Sequence, residues 1–156
     1  MKTKFLFLFI FLMTIHISLS AQKKWVNSYT TALGIKFYPG ALSFKQYFPN
    51  KNAFEVNGYS WNKGGRLTLL YEINKPIVGI RGLSWYVGPG VHMSFYNTDH
   101  FNGRALMGLD GVLGLDLKIK NFPFDFSLDW QPSVDFGGGE DFEPYWGGFG
   151  IRYFIR

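Results

Sequence analysis

The sequence predicts an all-β protein in which eight antiparallel strands close into an up-and-down barrel. Aromatic residues make up 20% of the 156-residue chain and charged residues only 17%, and there are 19 glycines. That composition is typical neither of a disordered chain nor of a helical bundle. Apolar and polar residues also alternate with a period of two over long segments, which indicates strands. Turn-forming residues separate these segments, so the strands are expected to follow one another as hairpins.

The first 21 residues have the pattern of a cleaved secretory signal peptide. Lys2 and Lys4 precede an apolar run from Phe5 to Ile17, and the small residues SLSA follow. Thr14 and His16 interrupt the run, which is too short for a membrane-spanning helix. We expect cleavage after Ser20 or Ala21, so that residues 22–156 form the mature barrel domain.

The eight predicted strands occupy most of the mature chain. The last strands alternate most strictly, whereas the third is predicted mainly from the turn sequences PNKN and NKGG on either side. The connection KPIVGIRG, residues 75–82, is long and apolar for a turn, and we expect a short helix or a packed crossing segment there. The predicted strands are Thr31–Tyr38, Leu42–Phe48, Ala53–Trp61, Arg66–Ile73, Ser84–Tyr96, Met107–Ile119, Phe122–Phe136 and Tyr145–Tyr153.

The two faces of these strands differ in a way that predicts a membrane-spanning barrel. The polar face carries Gly, Ser and isolated charges, which suit a narrow interior, whereas a soluble barrel would turn its apolar face inward. The apolar face has aromatic residues near its strand ends, as a lipid interface favours. The expected membrane-facing aromatic belt is Phe37, Phe48, Trp85, Phe95, Phe122, Phe136, Tyr145 and Tyr153.

Loop lengths predict the orientation of the barrel. With both termini in the periplasm, the two long polar loops around Asn97–Arg104 and Gly137–Pro144 face outward. The PNKN turn and the turn around Asn121 are short, as periplasmic turns usually are.

The chain resembles the small eight-stranded outer-membrane β-barrels of the OmpA/OmpX type. More narrowly, it looks like uncharacterised barrel proteins of Bacteroidota. The stretches that carry the resemblance are ALSFKQYFPNKNAFEV, GLSWYVGPGVHMSFYN, GLDGVLGLDLKI, FSLDWQPSVDF and the terminal GIRYF. The resemblance implies a monomeric, porin-like protein of a Gram-negative outer membrane, in contact with lipid and lipopolysaccharide. It also implies assembly by the outer-membrane insertion machinery, which recognises an aromatic at the end of the last strand. Here Tyr153 and Phe154 are followed by Ile155 and Arg156.

The predicted interior is a polar network of seven acids, five bases and one histidine. In a barrel of eight strands the interior is only wide enough for side chains, so paired charges predict a plug rather than a conducting pore. A proton or cation site around Asp125, Asp129 and Asp135 is an alternative use of the acid excess. The network comprises Lys36, Lys45, Glu55, Arg66, Glu72, His92, Asp110, Asp116, Lys118, Asp125, Asp129, Asp135 and Arg152.

An enzyme is one alternative to a structural or surface-interaction role in the cell envelope. His92 and Ser94 share a face, and Glu72 lies on the neighbouring strand, so a Ser–His–acid constellation is a candidate. The pair is similar to the His-x-Ser pair of lipid A deacylases. Its predicted position inside the barrel, away from acyl chains, argues against that activity. The other alternative is a soluble periplasmic barrel that binds a ligand.

The sequence excludes several other classes of site. It contains no cysteine, which excludes disulfides and thiol chemistry. Removal of Lys2 and Lys4 with the signal peptide lowers the formal charge from +5 to +3, too little to indicate nucleic-acid binding. The acidic loop GGGEDFEPYW, with Glu140, Asp141 and Glu143, is a candidate Ca²⁺ ligand set, but such charge runs are usually solvated loop tips. No cofactor and no metal are therefore expected.

Overall fold

The computed structural model describes residues 31–62, 64–96, 105–119, 122–136 and 142–155. Within them, eight antiparallel strands form a closed barrel in which each strand pairs with its neighbours in sequence and β8 pairs with β1. The expected signal peptide, residues 1–21, lies outside the described residues. The strands are β1 Thr31–Phe37, β2 Ala41–Tyr47, β3 Ala53–Trp61, β4 Gly64–Pro76, β5 Leu83–Tyr96, β6 Ala105–Lys118, β7 Phe124–Phe136 and β8 Phe142–Ile155.

The all-β, eight-stranded up-and-down fold predicted from the sequence is confirmed. The largest differences in strand bounds are at β4, which extends on both sides of Arg66–Ile73, and at β8, which extends on both sides of Tyr145–Tyr153. Within the described residues, no helix is long and apolar enough to cross a membrane.

The connection between β4 and β5 was predicted wrongly. Residues 77–82 form a tight exposed turn rather than a short helix or a packed segment. Gly79 and Gly82 adopt φ values of 97° and 84°, the left-handed region that glycine enters at little cost. Val78 is 98% and Ile80 54% exposed, so these two apolar residues of the turn do not pack onto the barrel.

The barrel has two ends that differ in which turns they carry. The end with Thr31 and Ile155, here called the terminal end, also carries the turns 48–52 and 77–82 and the ends of β6 and β7 at Lys118 and Phe124. The far end carries the ends of β3, β5 and β7 at Trp61, Tyr96 and Phe136.

The pairing of β7 with β8 contains one irregularity, between Gln131 and Ser133. Pro132 lies there and has no N–H to donate to the neighbouring strand. The indole Nε1 of Trp130 instead donates a hydrogen bond of 2.7 Å to the carbonyl of Pro144 on β8. An outward-facing side chain thus satisfies a backbone group at the break in the ladder.

Burial alternates along β1 to β7 and from Phe149 onward in β8, and most of the charged side chains are on the buried side. Val91 and Leu113 are 50% and 51% exposed on the outer surface, whereas Asp116 is 0% and Asp129 7% exposed in the interior. The core of this barrel is therefore polar, and its surface is apolar.

Candidate functional site: the barrel interior

The structure buries twelve of the thirteen residues of the predicted interior network, and it half-buries the thirteenth, Lys118. The alternation of each strand sends these side chains inward, because residues two apart share a face. They form two groups. The central cluster comprises Lys36, Lys45, Glu55, Glu72, Asp116, Asp125, Asp129 and Arg152. The far-end cluster comprises Arg66, His92, Asp110 and Asp135.

Arg152 on β8 lies at the middle of the central cluster. Its guanidinium contacts Glu55 at 2.6 Å and Asp125 at 3.1 Å, and Asp116 lies 3.8 Å away. It also donates hydrogen bonds to the hydroxyls of Ser43 and Ser127. One cation therefore links β2, β3, β6 and β7 to β8 through the interior.

Two lysines complete the central cluster. The Nζ atom of Lys45 lies 2.6 Å from Glu72 and 2.8 Å from Asp116. The Nζ atom of Lys36 lies 2.8 Å from Asp129 and 3.2 Å from Glu55. Each lysine thus faces two carboxylates. A buried charge is tolerated only when it is paired in this way.

Buried tyrosines connect the charged groups across the barrel, and the sequence analysis did not single them out. The hydroxyl of Tyr47 hydrogen-bonds Asp116 at 2.9 Å and Asp125 at 3.0 Å, and that of Tyr86 donates to Asp129 at 2.7 Å. Both tyrosines occupy polar-face positions in the alternation, and this parity is the signal that could have identified them. Their rings fill space that water would otherwise occupy.

The far-end cluster is organised around His92 on β5. The Nδ1 atom of its ring lies 2.7 Å from Asp110 on β6, and Nε2 lies 2.6 Å from Asp135 on β7. Arg66 on β4 forms a hydrogen-bonded ion pair with the other oxygen of Asp110. All four residues are at most 5% exposed.

An aromatic group covers Arg66 near the far end. Its guanidinium lies 4.2 Å from the ring of Trp146, and Tyr59 contacts the same ring edge-on at 4.9 Å. Glu143 accepts a hydrogen bond from the Trp146 indole and lies 3.9 Å from Arg66. The packed aromatic rings and Arg66 narrow the interior at this end.

The Ser–His–acid constellation predicted from the sequence is not assembled. His92 is paired with Thr68 across β4 and β5, and Glu72 lies four residues beyond Thr68, about 13 Å along the strand. Both ring nitrogens of His92 contact aspartates, and Glu72 pairs with Lys45. The three residues share the inner face of the barrel but not a site, because Glu72 lies too far along β4 to reach the ring of His92.

The predicted belt residues lie on the outer surface or at its ends. Most are exposed, from Trp85 at 39% to Tyr145 at 83% of the side-chain surface. Phe48 is half-buried and packs edge-on against Phe54 near the terminal end. The remaining members, all exposed, are Phe37, Phe95, Phe122, Phe136 and Tyr153.

The candidate calcium loop is only partly described. Residues 137–141, which include Glu140 and Asp141, lie outside the described residues, as do His16 and His100. Glu143 belongs to β8 and contacts Trp146. Among the residues that the structure describes, no group of three or more histidines, aspartates or glutamates has the geometry to hold a metal ion.

No family model matches the chain, and neither the curated proteins nor the solved structures include a significant match. The comparisons therefore provide no link to Bacteroidota barrels or to any other family. The eight-stranded antiparallel closed barrel is established by the structure itself.

Proposed function

We propose that the protein is an integral outer-membrane β-barrel with a plugged polar interior and a structural or surface-interaction role in the cell envelope. The observation that carries the proposal is the inverted distribution of side chains. Large apolar residues such as Leu109, Leu113 and Leu128 are 51–58% exposed around the outside, while the charged residues fill the inside. Monomeric soluble proteins rarely expose a continuous apolar surface of this kind.

The closed hydrogen-bonded ladder supports the same proposal. An unpaired backbone N–H or C=O in hydrocarbon costs several kcal/mol, so strands span a bilayer only as a closed barrel. Here β1 pairs with both β2 and β8, which leaves no open sheet edge at the closure. At the proline break in β7, the Trp130 indole satisfies the Pro144 carbonyl. A barrel in water would gain less from that bond, because water could replace it.

The filled interior favours a plug over a pore. The ion pairs of Lys36 and Lys45 extend from β1 and β2 to β7 and β6 across the barrel, and Arg152 on β8 reaches Glu55 on β3. A conducting pore of eight strands would need these side chains to withdraw together. The proposed role is therefore to strengthen the envelope and to present outer loops, rather than to pass solutes.

Fractionation of cells that express the full chain tests the location. We expect the protein in the outer-membrane fraction, and we expect the unboiled form to migrate faster on a denaturing gel than the boiled form. Recovery in the soluble periplasmic fraction, with no difference between boiled and unboiled samples, would contradict the proposal and favour a soluble ligand-binding barrel.

Two further measurements test the plug and the orientation. In planar bilayers we expect no discrete channel openings, and steady conductance in the wild type would contradict a plugged interior. On intact cells, added protease should cut only within residues 97–104 and 137–141. Cleavage confined to the turn 77–82 would reverse the proposed orientation.

A further inference from the structure

The contacts of His92 require a proton that a neutral histidine and two ionised aspartates do not supply. Nδ1 and Nε2 each lie within hydrogen-bond distance of a carboxylate oxygen, at 2.7 and 2.6 Å. An ionised carboxylate only accepts hydrogen bonds, and a neutral imidazole has one donor nitrogen. Both contacts are satisfied together only when each holds a proton, which is the case for an imidazolium ring.

The charges around His92 balance when this proton is present. Asp110 and Asp135 carry two negative charges, and Arg66 together with the imidazolium carries two positive charges. Without the proton, the four buried groups would retain one uncompensated negative charge. Such a charge in a dry interior is costly.

Other groups that face His92 leave this balance unchanged. Thr68 on β4 and Ser133 on β7 are uncharged, and the hydroxyl of Ser94 on β5 is hydrogen-bonded to Tyr96. Glu143 on β8 approaches Arg66 at 3.9 Å but is 39% exposed at its side chain, so solvent screens it.

The backbone of β6 leaves room for the imidazole ring of His92. His92, Gly108 and Asp135 are direct neighbours across β5, β6 and β7. A Cβ atom at Gly108 would lie 2.2 Å from the backbone oxygen of Val134 on β7, 2.3 Å from Cε1 of His92 and 2.7 Å from Nε2 of His92. The missing side chain therefore makes room both for the neighbouring strand and for the imidazole that passes over β6 to reach Asp135. No comparable conflict exists at Gly111 on the same strand, where the nearest atom is 3.7 Å away.

We propose that His92, Asp110 and Asp135 form a proton-binding site in which the imidazolium clamps β5, β6 and β7 together near the far end of the barrel. Loss of this proton replaces one of the two bonds with a contact between a ring lone pair and a carboxylate. The far end of the barrel is then destabilised while the central cluster remains intact. The proposal concerns the interior alone and does not depend on the medium around the barrel.

Nitrogen NMR of the folded, ¹⁵N-histidine-labelled protein tests the proton directly. The His92 signals are assigned by their absence in His92→Gln. At neutral pH we expect both ring nitrogens to carry a proton. A ring with one unprotonated nitrogen at neutral pH would overturn the proposal.

A double-mutant cycle gives a second test. His92→Gln and Asp135→Asn each break the contact between β5 and β7, so the double variant should lose less stability than the sum of the two single variants. Strictly additive losses would overturn the proposal.

Asp135→Asn separates the proton from general packing. The amide keeps the size of the side chain but removes the charge that holds the proton, so one ring nitrogen of His92 should lose its proton in the NMR spectrum. Two protonated ring nitrogens at neutral pH in Asp135→Asn would count against the site.

Discussion

The two faces of β6 differ in both their residues and the exposure of those residues. On the outer face, Leu109, Leu113 and Leu115 are 54%, 51% and 42% exposed. On the inner face, Asp110 and Asp116 are 5% and 0% exposed, and each forms ion pairs with cations from other strands. Successive residues point to opposite faces, so the alternation of the sequence sets this contrast directly.

The interior of this barrel is therefore held together by buried charged side chains rather than by buried apolar surface. In water, an exposed leucine loses the favourable free energy of transfer out of water. The charge of a buried aspartate must be compensated by partners of opposite charge. The partners of the aspartates are present here, whereas the outer leucines remain about half exposed. A hydrocarbon medium around the barrel accounts for both faces at once.

Among the residues of the inner face, substitution of Arg152 should lower the stability of the barrel most. Replacement by methionine keeps much of the volume but leaves Glu55 and Asp125 without their common cation. We expect a loss of about 3–5 kcal/mol in the free energy of unfolding, measured by urea titration of the barrel in lipid vesicles. Arg81→Met, in the exposed turn 77–82, is the control and should change little. Equal stability of the two variants would show that the central cluster is not needed.

A charged side chain on the outer face should lower the stability of the barrel even though that face is exposed. Leu113→Arg should destabilise the barrel in vesicles by about 2–4 kcal/mol, as for arginine near a bilayer midplane. Val78→Arg, at a more exposed position outside the strands, should cost far less. If Leu113→Arg is as well tolerated as Val78→Arg, then water rather than lipid surrounds β6.

A smaller loss of stability is expected when a methyl group is added where the interior is close-packed. A Cβ atom at Gly114 would lie 2.4 Å from the Tyr86 ring and 2.7 Å from Asp129. Gly114→Ala should therefore cost about 1–3 kcal/mol by overpacking, whereas Gly111→Ala should be nearly neutral. Comparison of their urea midpoints measures the difference, and matching midpoints would indicate a loosely filled interior.

The smallest effect should come from the break in the ladder between β7 and β8. Trp130→Phe removes the indole donor to the Pro144 carbonyl and should cost about 1 kcal/mol. Trp85→Phe, at an outward tryptophan on β5, serves as the matched change. The two variants should differ in unfolding free energy in vesicles, and no difference would mean that the carbonyl finds another donor.

Sequence periodicity predicted the strands and the interior residues because both depend only on the alternation along each segment. Which interior residues meet depends instead on the register between strands, and a sequence pattern does not contain it. For that reason the partners of His92 were predicted wrongly: Asp135 reaches the ring over Gly108, two strands away. The turn 77–82 was predicted wrongly for another reason, because the two glycines favour a turn despite the apolar residues Ile77, Val78 and Ile80.

Quenching of tryptophan fluorescence by lipids with brominated acyl chains tests most directly whether hydrocarbon contacts the outer face. Trp85 and Trp130 are outward and 39% and 50% exposed, and they can be studied in variants in which the other tryptophans are replaced by phenylalanine. The account predicts strong quenching by the brominated chains and weak quenching by aqueous iodide. Strong iodide quenching with no effect of the brominated lipids would contradict it.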